Sequence, residues 1–339
     1  MHYILPTIIL LFSLSSSFAQ IGQPQAFDFL NLSPSARMTA LGGMQLTASA
    51  DSSAMNSPLT WLMNPAANLP SNHRYLTLSY QPYYADINFA TLGYSREVGE
   101  QGSWGLGIQF LSYGEIDSYD LTGRPTGTFT AQEYAVVFNR SHQVGPFRMG
   151  LNARYVVSDV AGYEAEALLF DFGGIFIHPG QDLSIGLSVN NLGLLLNDYT
   201  SLTQSYLPTD MRLGLALKPQ YMPFRFYVGG YYLLNQRDAY FSADNNEMPG
   251  YVIRILRHLS LGSELMLGPN FSFLMGYNYL KGNTLQLEQT RGGAGLSFGI
   301  SLRLRMMQLD VSRSFYHAAG GINHFTLATD LDRLIFKRN

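Results

Sequence analysis

The 339-residue chain has no cysteine, which excludes disulfide bridges, thiolate metal sites and a lipid-bearing N-terminal cysteine. Charged residues are scarce: they make up 13% of the sequence, about half the share usual in soluble globular proteins. The net charge of −3 comes without any basic run, so nothing indicates a nucleic-acid partner. Beyond the N-terminus there is no long apolar run, which excludes a helical membrane protein.

The N-terminus carries the one continuous apolar stretch, Ile4 to Phe18, which ends at a small-residue site around Ala19. This pattern predicts a secretory signal peptide of residues 1–19, cleaved to leave Gln20 as the mature N-terminus. The segment before the stretch contains His2 but no lysine or arginine, so an N-terminal anchor helix is the alternative. The stretch is short for a membrane span, and we therefore expect export and cleavage.

Strict alternation of apolar with small or polar residues marks the rest of the chain. The clearest case is Gly293–Arg305, and the pattern recurs in Phe147–Val157, Leu183–Asn190 and Met211–Lys218. Successive side chains of a strand point to opposite faces, so each segment has one apolar and one polar face. Such segments, together with 22 Tyr and 21 Phe that suit aromatic girdles, predict an all-β fold, a transmembrane antiparallel β-barrel.

The alternation predicts about fourteen strands. Their expected ranges are Tyr75–Tyr84, Ile87–Glu97, Ser103–Tyr113, Glu133–His142, Phe147–Ser158, Glu164–Ile177, Asp182–Asn191, Thr209–Lys218, Phe224–Leu234, His258–Leu267, Phe271–Leu280, Gly292–Arg305, Met307–Tyr316 and Asn323–Leu331. Short and longer connections alternate between these strands, as periplasmic turns and outer loops do in outer-membrane barrels. An even strand number also places both chain ends in the periplasm.

The segment before the first strand has a different character. Residues 20–73 contain short helix-compatible pieces, a Gly-Gly pair and a serine-rich stretch, but no alternation. We predict that this segment is a plug inside a barrel formed by residues 74–339. Charged residues in the strands should face the lumen, because an arginine facing lipid near the midplane costs about 2–4 kcal/mol. The many small lumen-side residues favour a filled, salt-bridged interior over a polar conduit.

No catalytic, cofactor-binding or metal-binding site is predicted. None of the seven histidines lies in a nucleophile-elbow or His-x-x-x-His setting. The segment Thr122–Gly127 lacks the Gly-Lys-Ser/Thr ending of a phosphate-binding loop. Asp51 and the acidic run Asp244–Glu247 carry oxygen ligands that calcium accepts, but solvated loop acids are the simpler interpretation.

Short motifs in the N-terminal segment resemble the opening signature of the PorV/PorQ family, and the following Tyr83–Ile87 looks more like its PorQ branch. The residues that carry the resemblance are Ser35, Ala36, Arg37, Leu41, Gly42, Gly43, Asn64, Pro65 and Ala66. Two features depart from the family pattern. The acidic pair expected between the Gly-Gly and Asn-Pro-Ala elements is reduced to Asp51, and the chain ends on Asn339 instead of an aromatic residue.

The resemblance implies a FadL-like barrel in the outer membrane of a Gram-negative, Bacteroidetes-like bacterium. It implies a non-enzymatic role in the type IX secretion system, anchoring the surface attachment complex of PorZ-like, PorU-like and PorV-like proteins, with outer-membrane lipid around the barrel. The alternative is a FadL-like transporter of hydrophobic small molecules, which requires a continuous apolar path. A barrel hydrolase would require His, Ser and acidic side chains converging at one rim.

Two long late loops, Leu192–Pro208 and Asn235–Arg257, are the candidate docking surface for a partner. Their apolar and aromatic residues, expected to be exposed on the outer side, are Leu194, Leu195, Leu196, Tyr199, Tyr206, Tyr240, Phe241 and Tyr251. Clustered apolar side chains on an outer surface indicate a docking site. The alternative is that Leu194–Leu196 and Tyr251 extend the barrel wall or its aromatic girdle.

Overall fold

Fourteen antiparallel strands close into one barrel in a computed structural model, which describes residues 25–49, 55–200, 205–234, 251–284, 293–317 and 320–335. Each strand pairs with its chain neighbours, and β1 closes the barrel by pairing with β14, from Tyr75 opposite Asp330 to Tyr80 opposite Phe325. The predicted transmembrane barrel of fourteen strands is confirmed. The strands are β1 Tyr75–Pro82, β2 Asn88–Glu97, β3 Ser103–Tyr119, β4 Pro125–Val144, β5 Phe147–Val160, β6 Tyr163–Ile177, β7 Leu183–Asn197, β8 Asp210–Leu217, β9 Phe224–Gly230, β10 Leu259–Met266, β11 Phe271–Asn278, β12 Leu296–Arg303, β13 Met307–His317 and β14 Gly320–Asp330.

Alternate side chains of each strand form the two faces of the wall. In β1, Leu76, Leu78 and Tyr80 are exposed while Thr77, Ser79 and Gln81 are buried. The outward residues pair across strands, as Leu78 does with Leu92 on one side and Leu327 on the other. A closed barrel with an apolar outer belt satisfies its backbone hydrogen bonds internally, as a bilayer requires.

The wall has a tall side and a low side. Strands β3 to β7 contain 14–20 residues, whereas β8 to β12 contain 7 or 8. The end with short connections, such as the two-residue Gly145-Pro146 turn, is the periplasmic end, and the other end is the outer end. At the outer end of the low side lie two short helices, α2 (Tyr251–Arg257) and α3 (Tyr279–Thr284). No helix among the described residues is long and apolar enough to cross a membrane.

The described N-terminal residues run through the barrel interior as one helix and several turns. Helix α1 (Ala36–Ala40) begins where the Ser35 hydroxyl accepts from the Met38 amide. It ends at Gly42 and Gly43, whose φ angles of +88° and +91° lie in the left-handed region that favours glycine. Turns of 3-10 helix lie before and after α1, and another helix, α4 (Leu331–Ile335), comes after β14. The turns are Asp28–Asn31, Thr60–Leu62, Pro65–Ala67, Pro70–Asn72 and, at the periplasmic end, Gly99–Gln101.

Candidate functional site in the lumen and at the outer rim

Helix α1 and the Gly-Gly pair lie against strands β10 to β14. The Ala36 amide donates to Thr326 Oγ1 at 2.8 Å, and Ser297 Oγ donates to the Ala40 carbonyl at 3.0 Å. The contact is so close that a Cβ placed on Gly276 of β11 would lie 2.2 Å from the Gly42 nitrogen. Backbone therefore lies directly on backbone here, which only a glycine in the wall permits.

Arg37 is the charged centre of this contact. Its guanidinium is 0% exposed and donates to Glu264 Oε2 at 2.6 Å and to Ser301 Oγ at 3.0 Å. A second arginine, Arg225, lies 3.6 Å from the same carboxylate and 2.6 Å from Asp182 at the periplasmic end. Each buried charge lies next to a charge of opposite sign, which offsets the cost of removing it from water. An unpaired charge at the same place would be strongly destabilising.

The Asn-Pro-Ala motif lies on the opposite part of the wall. The Asn64 amide donates to the Leu46 carbonyl at 2.8 Å, while its oxygen accepts from the Ala66 amide at 3.1 Å. A Cβ on Gly150 of β5 would lie 2.2 Å from the Pro65 carbonyl carbon. Arg148 completes this contact by donating through Nε to the Ala66 carbonyl at 3.1 Å. All nine residues that carry the sequence resemblance are buried in these two contacts.

A buried pair that the sequence does not reveal holds the segment between those contacts. Arg154 of β5 donates to Asp171 of β6 at 2.6 Å and also to the Leu62 carbonyl of the N-terminal segment. Asn152 donates to the same carboxylate at 2.9 Å and to the Trp61 carbonyl at 3.1 Å. The wall thus presents charged and amide donors to the segment's backbone carbonyls, which would otherwise be buried without partners.

The lumen is apolar toward the outer end on the tall side. Phe27, Phe29 and Leu30 of the N-terminal segment pack there against inward-facing wall residues such as Phe89 and Val156. Half-buried residues at the rim continue this apolar lining: Leu32, Tyr83, Ile87, Tyr113, Leu195, Tyr199 and Leu207. An apolar surface therefore extends from the outer rim to Phe27, Phe29 and Leu30 of the N-terminal segment.

The candidate docking residues divide into two groups, and the expectation that all are exposed is wrong. Leu194, Leu196 and Tyr251 are exposed by 69%, 57% and 77%. Leu195 and Tyr199 are half-buried against the lumen cluster, and Tyr206 is half-buried beside Gln25, with which it forms a bridge. Tyr240 and Phe241 lie outside the described residues, as do the predicted signal peptide and Asp51.

Tyr199 turns inward because its phenol has a partner there. Its hydroxyl donates to Ser158 Oγ at 2.6 Å, and burial raises the pKa of the phenol. Sequence patterning missed this contact, because Ser158 and Tyr199 are 41 positions apart and meet only in the folded barrel.

A bulge in β7 marks the point where its pairing with β8 ends. Asn191 has a φ of +59°, and its backbone N–H donates to Asp171 Oδ1 at 2.8 Å. Below this point β7 pairs with β8 through Asn190 opposite Asp210; above it, within the described residues, β7 pairs with β6 only. Leu194 and Leu196 project from this outer half of the strand.

The barrel is similar in architecture to solved outer-membrane proteins. The TodX monoaromatic hydrocarbon channel deltaS2 mutant aligns over 89% of this chain and 98% of its own, with a TM-score of 0.50 and 12% identity. A FadL homologue from Pseudomonas aeruginosa aligns over 88% of this chain and 98% of its own, with a TM-score of 0.48 and 10% identity. The fold is that of a FadL-like outer-membrane barrel.

No protein-family model and no curated protein matches the sequence of this FadL-like barrel. The resemblance of its N-terminal motifs to the PorV/PorQ family therefore stays a prediction. At these identities the structural likeness carries the fold of the wall and says nothing about cargo or ligand.

Proposed function

We propose that this FadL-like barrel is a closed outer-membrane scaffold that holds a protein partner at the cell surface, as the PorV/PorQ resemblance implies for type IX secretion. The observation that carries the proposal is the set of buried contacts between the N-terminal segment and the inner wall. The segment is held to β10–β14 through Arg37 and Glu264 and to β4–β6 through Asn64 and Arg154. A segment bound to both sides of the inner wall favours an anchor over an open conduit.

The outer half of β7 supports a docking surface. Leu194 and Leu196 are exposed apolar side chains on the part of β7 above the Asn191 bulge, which pairs with β6 but, among the described residues, not with β8. Exposed apolar clusters at a protein surface favour partner binding. By resemblance the partner is a PorZ-like protein, held with PorU-like and PorV-like components of the attachment complex.

The experiment is a pair of aspartate substitutions, Leu194→Asp with Leu196→Asp, in the native cell. The partner should appear in the medium while the altered barrel stays folded in the outer membrane, judged by heat-modifiable electrophoresis. The matched control is Leu121→Asp, a fully exposed leucine at the tip of the β3–β4 loop, which should release nothing. Retention of the partner on a properly folded barrel would refute the docking role, and loss of folding would assign both leucines to the lipid-facing wall.

The second candidate function is passage of hydrophobic small molecules, and it is supported by one structurally similar protein, a monoaromatic hydrocarbon channel. The apolar surface from the rim residues Tyr113 and Leu195 to Phe29 supports it too, because a greasy ligand needs such a path. Passage would require Phe27, Phe29 and Leu30 to move out of the lumen.

Trp61 offers a direct test of this second candidate, since it is buried in the same apolar cluster. In a Trp104→Phe background Trp61 is the remaining tryptophan of the two in the chain. A transporter should show a saturable change in Trp61 emission with a monoaromatic hydrocarbon, and measurable conductance of the intact protein in planar bilayers. A silent Trp61 and a closed intact barrel would leave the scaffold as the function.

A further inference from the structure

The low side of the wall is too short to cross the bilayer without help. Strands β8 to β12 have 7 or 8 residues, whereas a tilted transmembrane strand needs about 9–11. At a rise of about 3.3 Å per residue and a tilt of about 40°, eight residues span about 20 Å along the membrane normal. The apolar band of an outer-membrane barrel is about 25 Å tall, so among the described residues no strand covers part of the outer leaflet on this side.

Helix α2 occupies that position. It lies at the outer end of β10, and its C-terminus is fixed to the wall: the His258 amide donates to the Ile255 carbonyl, and the Tyr231 amide donates to the His258 carbonyl, both at 3.1 Å. Arg257 at its last turn is buried, and the helix packs against α3. The helix is therefore part of the barrel rim, held in place by strand ends β9 and β10.

Helix α2 exposes apolar side chains, and their contact with water is unfavourable. Tyr251 and Val252 are exposed by 77% and 66%, and Ile253 and Ile255 by 39% and 45%. Four apolar side chains of a seven-residue helix are thus open to the surroundings. An exposed apolar patch of this kind marks a binding partner or a membrane.

A shallow apolar depression lies on the lipid-facing wall of the same strands. It has a volume of about 300 Å³ and is bordered by Phe226, Val228, Leu261 and Met275 around the small side chain of Ser263. Ser263 pairs with Phe226 on one strand and with Met275 on the other, so large side chains flank a small one. The result is a recess in a surface that already faces acyl chains.

We propose that α2 is an interfacial helix embedded in the outer leaflet, and that acyl chains of the bilayer seat in the depression around Ser263. The occupant of the depression is lipid because the depression belongs to the lipid-facing belt of the barrel. The apolar surface of α2 is also exposed at the height where strands β8 to β12 are too short to cover the bilayer. Helix and depression together complete the apolar band on the low side. Tyr251 then belongs to the membrane interface, and the docking surface of the proposed function narrows to the tall side.

The absence of native cysteine makes a clean test possible, because a single introduced thiol takes the only label. The protein with Val252→Cys carries a nitroxide label and is reconstituted in vesicles of phosphatidylcholine and phosphatidylglycerol. Collision with oxygen, which concentrates in lipid, is compared with collision with a water-soluble nickel chelate. Leu261→Cys on the apolar wall is the lipid reference, and Leu121→Cys at the β3–β4 tip is the water reference.

The ratio of oxygen collisions to nickel-chelate collisions at Val252 should be close to the ratio at Leu261. It should exceed the ratio at Leu121 several-fold. Ile255→Cys, on the same helix, repeats the measurement in case one variant does not fold, and heat-modifiable electrophoresis verifies folding of each. A ratio at Val252 and Ile255 closer to that at Leu121 would place α2 in water and overturn the proposal. Capture of a protein partner through α2, with the label protected only when that partner is present, would overturn it as well.

Discussion

Removing the guanidinium of Arg37 tests whether the buried charges hold the N-terminal segment in the lumen. Arg37 and Glu264 are 2.6 Å apart, and their side chains are 0% and 1% exposed. Arg37→Met keeps a long apolar side chain but leaves the Glu264 carboxylate without its nearest partner. Breaking a buried ion pair from one side costs about 3–5 kcal/mol, because a buried charge stays uncompensated.

The arrangement around Glu264 sets where in that range the effect should fall. Arg225 lies 3.6 Å from the same carboxylate oxygen and remains in the variant, so part of the charge stays balanced. Tyr227 also donates to Glu264 at 3.0 Å. We therefore expect a loss near the lower end, about 3 kcal/mol of unfolding free energy, or roughly a hundredfold in the folding equilibrium.

The assay is urea unfolding of the barrel in detergent micelles, followed by the emission of buried Trp61 in the Trp104→Phe background. The double variant Arg37→Met with Glu264→Gln removes both charges and should recover part of the loss, since a neutral pair needs no compensation. A loss below about 1 kcal/mol in Arg37→Met would mean that the pair does not hold the segment. If the double variant lost more unfolding free energy than the two single variants together, the charge argument itself would be contradicted.

Three further outcomes follow from the packing and the lipid-facing belt. Gly276→Ala should lower the unfolding free energy by about 1–3 kcal/mol or more and loosen the N-terminal segment, because the added Cβ would meet backbone atoms. Gly174→Ala is the control in the same unfolding assay: its Cβ would have one neighbour within 4 Å, at 3.9 Å, and should be tolerated. Leu78→Arg should impair membrane assembly by about 2–4 kcal/mol, and Leu121→Arg should not, as heat-modifiable electrophoresis would reveal; equal tolerance would contradict the face assignment. Deleting residues 20–73 should open conductance in planar bilayers, and a closed deletion variant would show that the wall itself seals the lumen.

Strand positions were predictable from sequence wherever lipid imposes the pattern. All fourteen predicted strands are present, because only alternate residues of a membrane strand meet lipid and the apolar face is therefore regular. The outer ends of β3 and β4 were missed. There, Glu115–Tyr119 pairs with Pro125–Thr130, and successive residues on both strands are exposed or half-buried, so no alternation is required.

Helices and lumen contacts lie beyond what sequence patterning can reach. Helix α2 has only seven residues, too few for stability without packing, and β11 was expected to run to Leu280 where α3 begins at Tyr279. Lumen-facing charges were predicted as a class, but not the pair of Arg37 with Glu264. Those two residues are 227 positions apart, and they meet only because closure of the barrel sets the register of every strand.

His324 joins two events of assembly in one side chain. Its Nε2 lies 2.7 Å from Ser79 of β1, across the seam between the first and last strands, and its Nδ1 lies 2.8 Å from Thr39 of α1. Helix α1 and the strands β10–β14 against which it packs lie at opposite ends of the described chain, so α1 cannot take up its position until the last hairpin has formed. Closure of the seam and docking of α1 therefore depend on the same strand, β14. We expect a chain truncated before β14 to leave its N-terminal segment undocked and open to proteolysis.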